Sequence, residues 1–210
     1  MPSGGPWWRV RVSPARQALG LLLLALASVF FYEMAAKGLR FFAVESISME
    51  PTLFGGDRLV AIRETQYRRG DIVIVRDPQD PKGYLVKRVI GLSGDVVEVR
   101  AGAVFLNGQY LSEPYRPEPI EYSLAPYAVP PDEIFVLGDN SNRSVDSHNW
   151  NAAYRDSGTI NPGSLPRVSV IARAIYQYYP VGRVGTVRRY PLYEPGPASP
   201  TRAATAPPVQ

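Results

Sequence analysis

Two serines and a lysine are the groups in this sequence best able to do covalent chemistry together. Ser46 and Ser48 lie in Glu45-Ser46-Ile47-Ser48-Met49-Glu50-Pro51-Thr52-Leu53, at the exit of a long apolar segment. A serine hydroxyl is a poor nucleophile until a neighbouring base takes its proton, and that base can be a histidine or a neutral lysine. The chain offers both: Lys87, inside the apolar run Tyr84-Leu85-Val86-Lys87-Arg88-Val89-Ile90, and His148, its single histidine, two residues after Asp146.

Lys87 can serve only if its pKa is depressed. At the ordinary value of ~10.4 about one lysine in 2,500 is neutral at pH 7, and burial in apolar surroundings is what lowers it. The competing reading is structural. In a half-exposed strand Leu85, Lys87 and Val89 share one face and Val86, Arg88 and Ile90 the other, which lets Lys87 point into solvent. Spacing alone leans to that second reading.

The elements that must position these groups follow from composition and pattern. Twenty-one prolines and 18 glycines in 210 residues favour many turns and a mainly β fold. Cysteine is absent, and one histidine cannot build a multi-histidine zinc site. No metal or cofactor is implied. The net charge of +4 is spread along the chain without a basic stripe interleaved with aromatics, so nucleic acid is not an expected partner.

Residues 1–16 carry Arg9, Arg11 and Arg16 and no acid, and lead into the apolar run from Ala18 to Tyr32. Continued to Ala36, the run approaches the ~20 residues of a spanning helix. It reads as a retained anchor over residues 17–36, or as a secretory signal peptide that is removed. The apolar character continues through Phe41, Phe42 and Val44 into the serine stretch without a linker, which favours the anchor. The basic start places the N-terminus in the cytoplasm, although Lys37 and Arg40 weaken that signal.

After Leu53 come short runs rich in branched residues, at 58–62, 72–75, 84–90 and 96–99, each of the expected type for a strand. Gly56-Asp57, Gly70-Asp71 and Gly94-Asp95 precede three of them as turns. Asn107-Gly108 predicts a hairpin. The proline- and tyrosine-rich stretch 113–131 is expected to be a surface loop. Strands are expected at 133–137 and, buried, at 168–176, with a second irregular stretch from Asn149 to Pro166. The expected organisation is a basic N-terminus (1–16), an anchor (17–36), a β-rich domain (37–186) and a disordered tail (187–210).

Three stretches together resemble one known family. Ser46-Ile47-Ser48-Met49-Glu50-Pro51-Thr52-Leu53 is similar to the serine box of the type I signal peptidases of bacteria and organelles. Tyr84 to Asp95 is similar to their lysine box, and Gly138-Asp139-Asn140-Ser141-Asn142-Arg143-Ser144-Val145-Asp146-Ser147 to their Gly-Asp-Asn box, in the same order. The resemblance implies a β-rich peptidase domain with one N-terminal transmembrane helix and an apolar surface against the bilayer, in a bacterial plasma or thylakoid membrane. It implies Ser48 as nucleophile and Lys87 as general base. Ser46 hydroxyl and Ser48 N–H would form the oxyanion hole, Ser144 would orient Lys87, and Arg88, Asp139 and Asp146 would support the site. Phe42, Val44, Met49, Pro51 and Val86 would shape the substrate groove. The implied partners are precursors bearing signal peptides, cut after small residues in an Ala-x-Ala pattern, and the lipid bilayer; no oligomeric state is implied.

The chain departs from the bacterial pattern after Asp146-Ser147, where His148 replaces the usual arginine; His148-Asn149-Trp150 is more similar to the cyanobacterial and plastid branch. The interval before Leu165-Pro166 is longer than the family's. Three other readings stay open: a triad of Ser48, His148 and Asp146; a catalytically silent tethered β-domain that binds export partners; and a self-cleaving repressor using serine and lysine, for which a preceding helix-turn-helix is missing.

Overall fold

The computed structural model describes residues 13–36, 38–78, 80, 82–150 and 163–190. The expected basic start (residues 1–12), most of the stretch after Trp150 (151–162) and the tail from residue 191 lie outside the described residues. The chain divides into two units, Met1–Leu39 and Arg40–Gln210.

The first unit holds one helix, α1, Pro14–Ala36. Ser13 and Pro14 set its start: the Ser13 side chain accepts from the Arg16 N–H at 3.4 Å, and proline suits the first helical position, where its missing N–H costs nothing. The helix therefore begins three residues before the expected 17. Residues Pro14–Glu33 form a stretch long and apolar enough to cross a membrane, and none of it is buried within the chain.

The second unit is mainly β, as expected. Its strands are β1 (Arg40–Ala43), β2 (Arg58–Ile62), β3 (Ile72–Arg76), β4 (Tyr84–Leu92), β5 (Val96–Arg100), β6 (Ala103–Leu106), β7 (Gln109–Tyr110), β8 (Leu124–Ala128), β9 (Glu133–Leu137), β10 (Leu165–Pro166), β11 (Val170–Tyr179) and β12 (Gly185–Thr186). An eight-stranded sheet runs β1-β2-β11-β3-β4-β9-β10, with β12 paired to β11, and a four-stranded sheet runs β7-β6-β5-β8. The pairings are antiparallel.

The three Gly-Asp pairs are one device used three times. Gly56, Gly70 and Gly94 take φ of 90°, 85° and 85°, which a side chain would resist. The following carboxylate then accepts the N–H three residues back: Asp57 from Phe54, Asp71 from Arg68 and Asp95 from Leu92, each at 2.8 Å. Each turn is thereby closed before a strand begins. At the hairpin, Asn107 and Gly108 both have positive φ, 53° and 80°, as a tight two-residue turn requires.

Three expectations need correction. The stretch 113–131 is not all surface loop, because β8 pairs with β5 and Tyr115, Ile120 and Val129 are buried beneath it. Pro126 is tolerated because β8 is an edge strand of its sheet, where a missing N–H need break no ladder bond. The last long strand starts at Val170 and continues to Tyr179; a 3-10 turn, Arg167–Ser169, precedes it, and Val168 is 88% exposed. The tail expected from Val187 is not featureless at its start, since Val187 and Tyr190 pack against buried clusters.

Candidate active site

Ser48 lies in the turn that leaves β1. That turn is closed at both ends: Leu53 N–H donates to Met49 O at 2.9 Å, and Val44 and Gly56 exchange bonds with Asp57 and Val44 carbonyls at 2.8 Å. Met49 and Leu53 anchor it by burying their side chains with Val44, Leu59, Ile72 and Val86. Ser48 itself is buried.

Lys87 reaches Ser48 from the middle of β4, paired across to Val73 of β3. Its side chain is 2% exposed, so the solvent-facing reading fails. Lys87 does share a face with Leu85 and Val89, but that face is not open. Leu85 and Val89, which share the face of Lys87, pack with Val73, Val136 and Trp150, while Val86 on the other face packs with Met49 and Ile72. Both faces of the strand are covered.

Lys87 Nζ lies 2.9 Å from Ser48 Oγ and 3.0 Å from Ser144 Oγ, and Ser46 Oγ lies 3.1 Å from Ser48 Oγ. Burial pushes the Lys87 amine below its ordinary value; Asp146, Asp77 and Asp139 act in the opposite direction without cancelling it. A buried amine poised towards its neutral form, in contact with a buried hydroxyl, is a base next to a nucleophile.

Arg88, the next residue of β4, turns the other way into a fully buried ion pair. Its Nε and Nη2 donate to Asp139 Oδ1 and Oδ2 at 2.7 and 2.6 Å, and Nη1 donates to Gly70 O at 2.8 Å. The Thr52 hydroxyl donates to the same carboxylate, tying the serine turn to it. Asp139 stands in Gly138-Asp139-Asn140, and Asn140 N–H donates to Ser48 O at 3.0 Å. The ion pair therefore fixes a turn that itself grips the backbone of Ser48.

Gly138 has a role that only the meeting of two distant segments reveals. A Cβ placed there would lie 2.4 Å from Ser144 Oγ and 2.5 Å from Ser48 O, so only glycine lets the two segments meet. Asp146, also fully buried, accepts from Gly138 N–H at 2.8 Å and from the His148 backbone at 3.2 Å, and pairs with His148 Nδ1 at 2.7 Å. The His148 ring stacks on Tyr122 with centroids 3.7 Å apart. Among the described residues the groups within hydrogen-bonding distance of Ser48 Oγ are Lys87 and Ser46, so His148 is not arranged as its base.

The residues expected to line a groove separate. Val44 and Val86 border a cavity of about 430 Å³ that also touches Ser46, Glu45 and Tyr84. Phe42 is half-buried against Tyr84, with ring centroids 5.0 Å apart. Met49 is wholly buried and belongs to the core beneath the turn, so it acts on any groove from behind. Pro51 borders a different cavity, with Leu53, Gln177 and Arg183.

Residues 15–179 match the family described as signal peptidase, peptidase S26. A signal peptidase I of Leptolyngbya laminosa is 36% identical over 188 residues, covering 82% of this chain and 87% of that protein. A probable signal peptidase I-2 of Synechocystis is 41% identical over 165 residues, covering 71% and 70%. The chloroplastic thylakoidal processing peptidase 1 of Arabidopsis thaliana is 36% identical over 156 residues, covering 68% of this chain and 42% of that protein.

Proposed function

The chain belongs to the signal peptidase family, peptidase S26, and is a serine endopeptidase that removes signal peptides from precursor proteins; we propose that it does so as a membrane-anchored enzyme with Ser48 and Lys87 as the reacting pair. The observation that carries this reading is the 2.9 Å approach of a buried lysine amine to a buried serine hydroxyl.

In this mechanism Ser48 Oγ attacks the scissile carbonyl carbon while neutral Lys87 takes the hydroxyl proton. The oxyanion receives hydrogen bonds from the Ser46 hydroxyl and the Ser48 N–H, groups aimed at charge that develops only in the transition state. Collapse of the intermediate expels the new amino terminus of the mature protein, to which the Lys87 ammonium returns the proton. Water then hydrolyses the Ser48 ester, with Lys87 again as base. Ser144 accepts an N–H of Lys87 and fixes where its lone pair points. Arg88, Asp139 and Asp146 hold the turns that carry these groups.

The substrate would lie as an added strand beside β1. Val44 and Val86 would form apolar walls that accept small side chains, which favours cleavage after Ala-x-Ala. Helix α1, about 35 Å long at 1.5 Å per residue, would span a bacterial plasma or thylakoid membrane, with the N-terminus cytoplasmic and the β domain on the exported side.

The test is cleavage of a precursor bearing an Ala-x-Ala site by the full chain in detergent. Wild type is expected to cut after the second alanine, and Ser48→Ala and Lys87→Ala to be inactive. Either variant cutting at the wild-type rate removes the dyad assignment.

A further inference from the structure

The family match ends at Tyr179, yet the chain beyond it returns to the site. After β11 a 3-10 turn, Val181–Arg183, reverses the direction and β12 pairs back onto β11, with Thr186 opposite Tyr176. Val187 N–H then donates to Ile175 O at 3.0 Å, and its side chain packs on the cluster that contains Met49 and Leu53.

Two ion pairs fasten this segment: Arg183 to Asp57 Oδ1, and Arg189 to Asp71 Oδ1 at 2.8 Å. These are the same two carboxylates whose Oδ2 atoms close the Gly-Asp turns. Each therefore serves a turn with one oxygen and the returning segment with the other. The second of those turns also supplies Gly70 O to Arg88.

Tyr190 ends this path over Arg88. Its ring centroid lies 5.4 Å from Arg88 Cζ and 5.3 Å from the ring of Tyr115, which itself lies 4.0 Å from Cζ. An aromatic face stabilises a guanidinium most where water is excluded, and the Arg88 side chain is fully buried.

We propose that residues 181–190 form a strap belonging to the catalytic unit, and that Tyr190 is a positioning residue acting on Ser48 and Ser144 through Arg88 and Asp139; the proposal rests on the reading of Ser48 and Lys87 as the reacting pair. Without the ring, the Arg88 guanidinium loses a π face that stabilises it in its buried site, and its hold on Asp139 weakens. The Gly138–Asn140 turn then loosens, and with it the placement of the reacting atoms, to which rates are steeply sensitive. Residues 181–190 border the cavity beside Pro51 and not the one beside Ser46, where the substrate is proposed to lie, so the effect is expected in kcat rather than in KM.

The experiment compares steady-state cleavage of one precursor peptide by the full chain and by Tyr190→Ala, Tyr190→Phe and Tyr190→Leu. Tyr190→Ala is expected to lower kcat about tenfold with KM within about twofold, and Tyr190→Phe, which keeps the ring, to stay within about twofold of wild type in both. An unchanged kcat, a loss expressed in KM, or a loss that phenylalanine fails to restore overturns the proposal. Should Tyr190→Ala not fold, Tyr190→Leu keeps apolar cover without a π face; the same loss of kcat supports the proposal, and a wild-type rate overturns it. Ser48→Ala in the same assay reports separately on the reacting pair: cleavage that survives it removes that reading and says nothing against the strap.

Discussion

Lys87 Nζ sits 2.9 Å from Ser48 Oγ across 39 residues of sequence, and its other hydrogen-bond partner, Ser144, is also a hydroxyl. Among the described residues no carboxylate oxygen hydrogen-bonds the amine, so burial is free to disfavour its charged form. The depressed pKa of Lys87 and its contact with Ser48 come from the same arrangement.

The rate should therefore fall as pH drops through the Lys87 ionisation, at a pH below the ordinary lysine value of ~10.4. Asp146 is the strongest of the carboxylates that raise the Lys87 pKa, so Asp146→Asn should move this acid limb to lower pH. A pH–rate profile of kcat on both proteins checks it; a flat wild-type profile between about pH 5 and 9 contradicts the assignment.

The same ionisation sets a stability prediction whose sign is opposite to that of a salt bridge. Folded Lys87 has the lower pKa and unfolded Lys87 the ordinary one, so between the two values the unfolded chain binds more protons. Stability rises with pH across that window, and the full penalty applies below the folded value. Lys87→Met should abolish this slope and stabilise the domain at neutral and lower pH, where burial works against the charged amine. Urea unfolding midpoints across a pH series measure it, and a Met variant with the wild-type slope refutes it.

Breaking the buried ion pair should cost far more than a surface pair. Arg88→Ala or Asp139→Asn leaves an uncompensated buried partner and should destabilise by about 3–5 kcal/mol. Arg88→Lys should rescue little, because a single ammonium cannot reach both Asp139 oxygens and Gly70 O. Chemical denaturation of the three variants ranks these effects; a fully stable Arg88→Lys would show that charge alone suffices.

Gly138→Ala should be nearly inactive with its substrate affinity kept. Its methyl group must displace either the Ser144 side chain or the Ser48 carbonyl, neither of which has room to yield. A shift of about 1 Å at reacting groups costs on the order of 10²-fold in rate. Single-turnover cleavage separates this loss from any change in binding.

The strands were legible because their apolar runs are short and β-branched, and the Gly-Asp pairs announced their own turns. The three boxes also gave the site in outline. What sequence could not supply was long-range. The parity of Lys87 was readable, but the cover over its face comes from Val136 on β9 and from Trp150, far along the chain. Gly138 looked like any glycine in a turn until Ser48 and Ser144 were seen on either side of it. Pro126 argued against a strand that an edge position permits, and Met49, beside the nucleophile in sequence, faces the core rather than a groove.

Lys87 and Arg88 are adjacent on β4, opposite Val73 and Ile72 of β3, and face opposite ways. A slip of one residue that set Arg88 opposite Val73 would bring to the position of Lys87 a guanidinium that keeps its charge at any physiological pH. Such a molecule would lose the amine that stands beside Ser48, so the register of these two strands decides which basic group meets the serine.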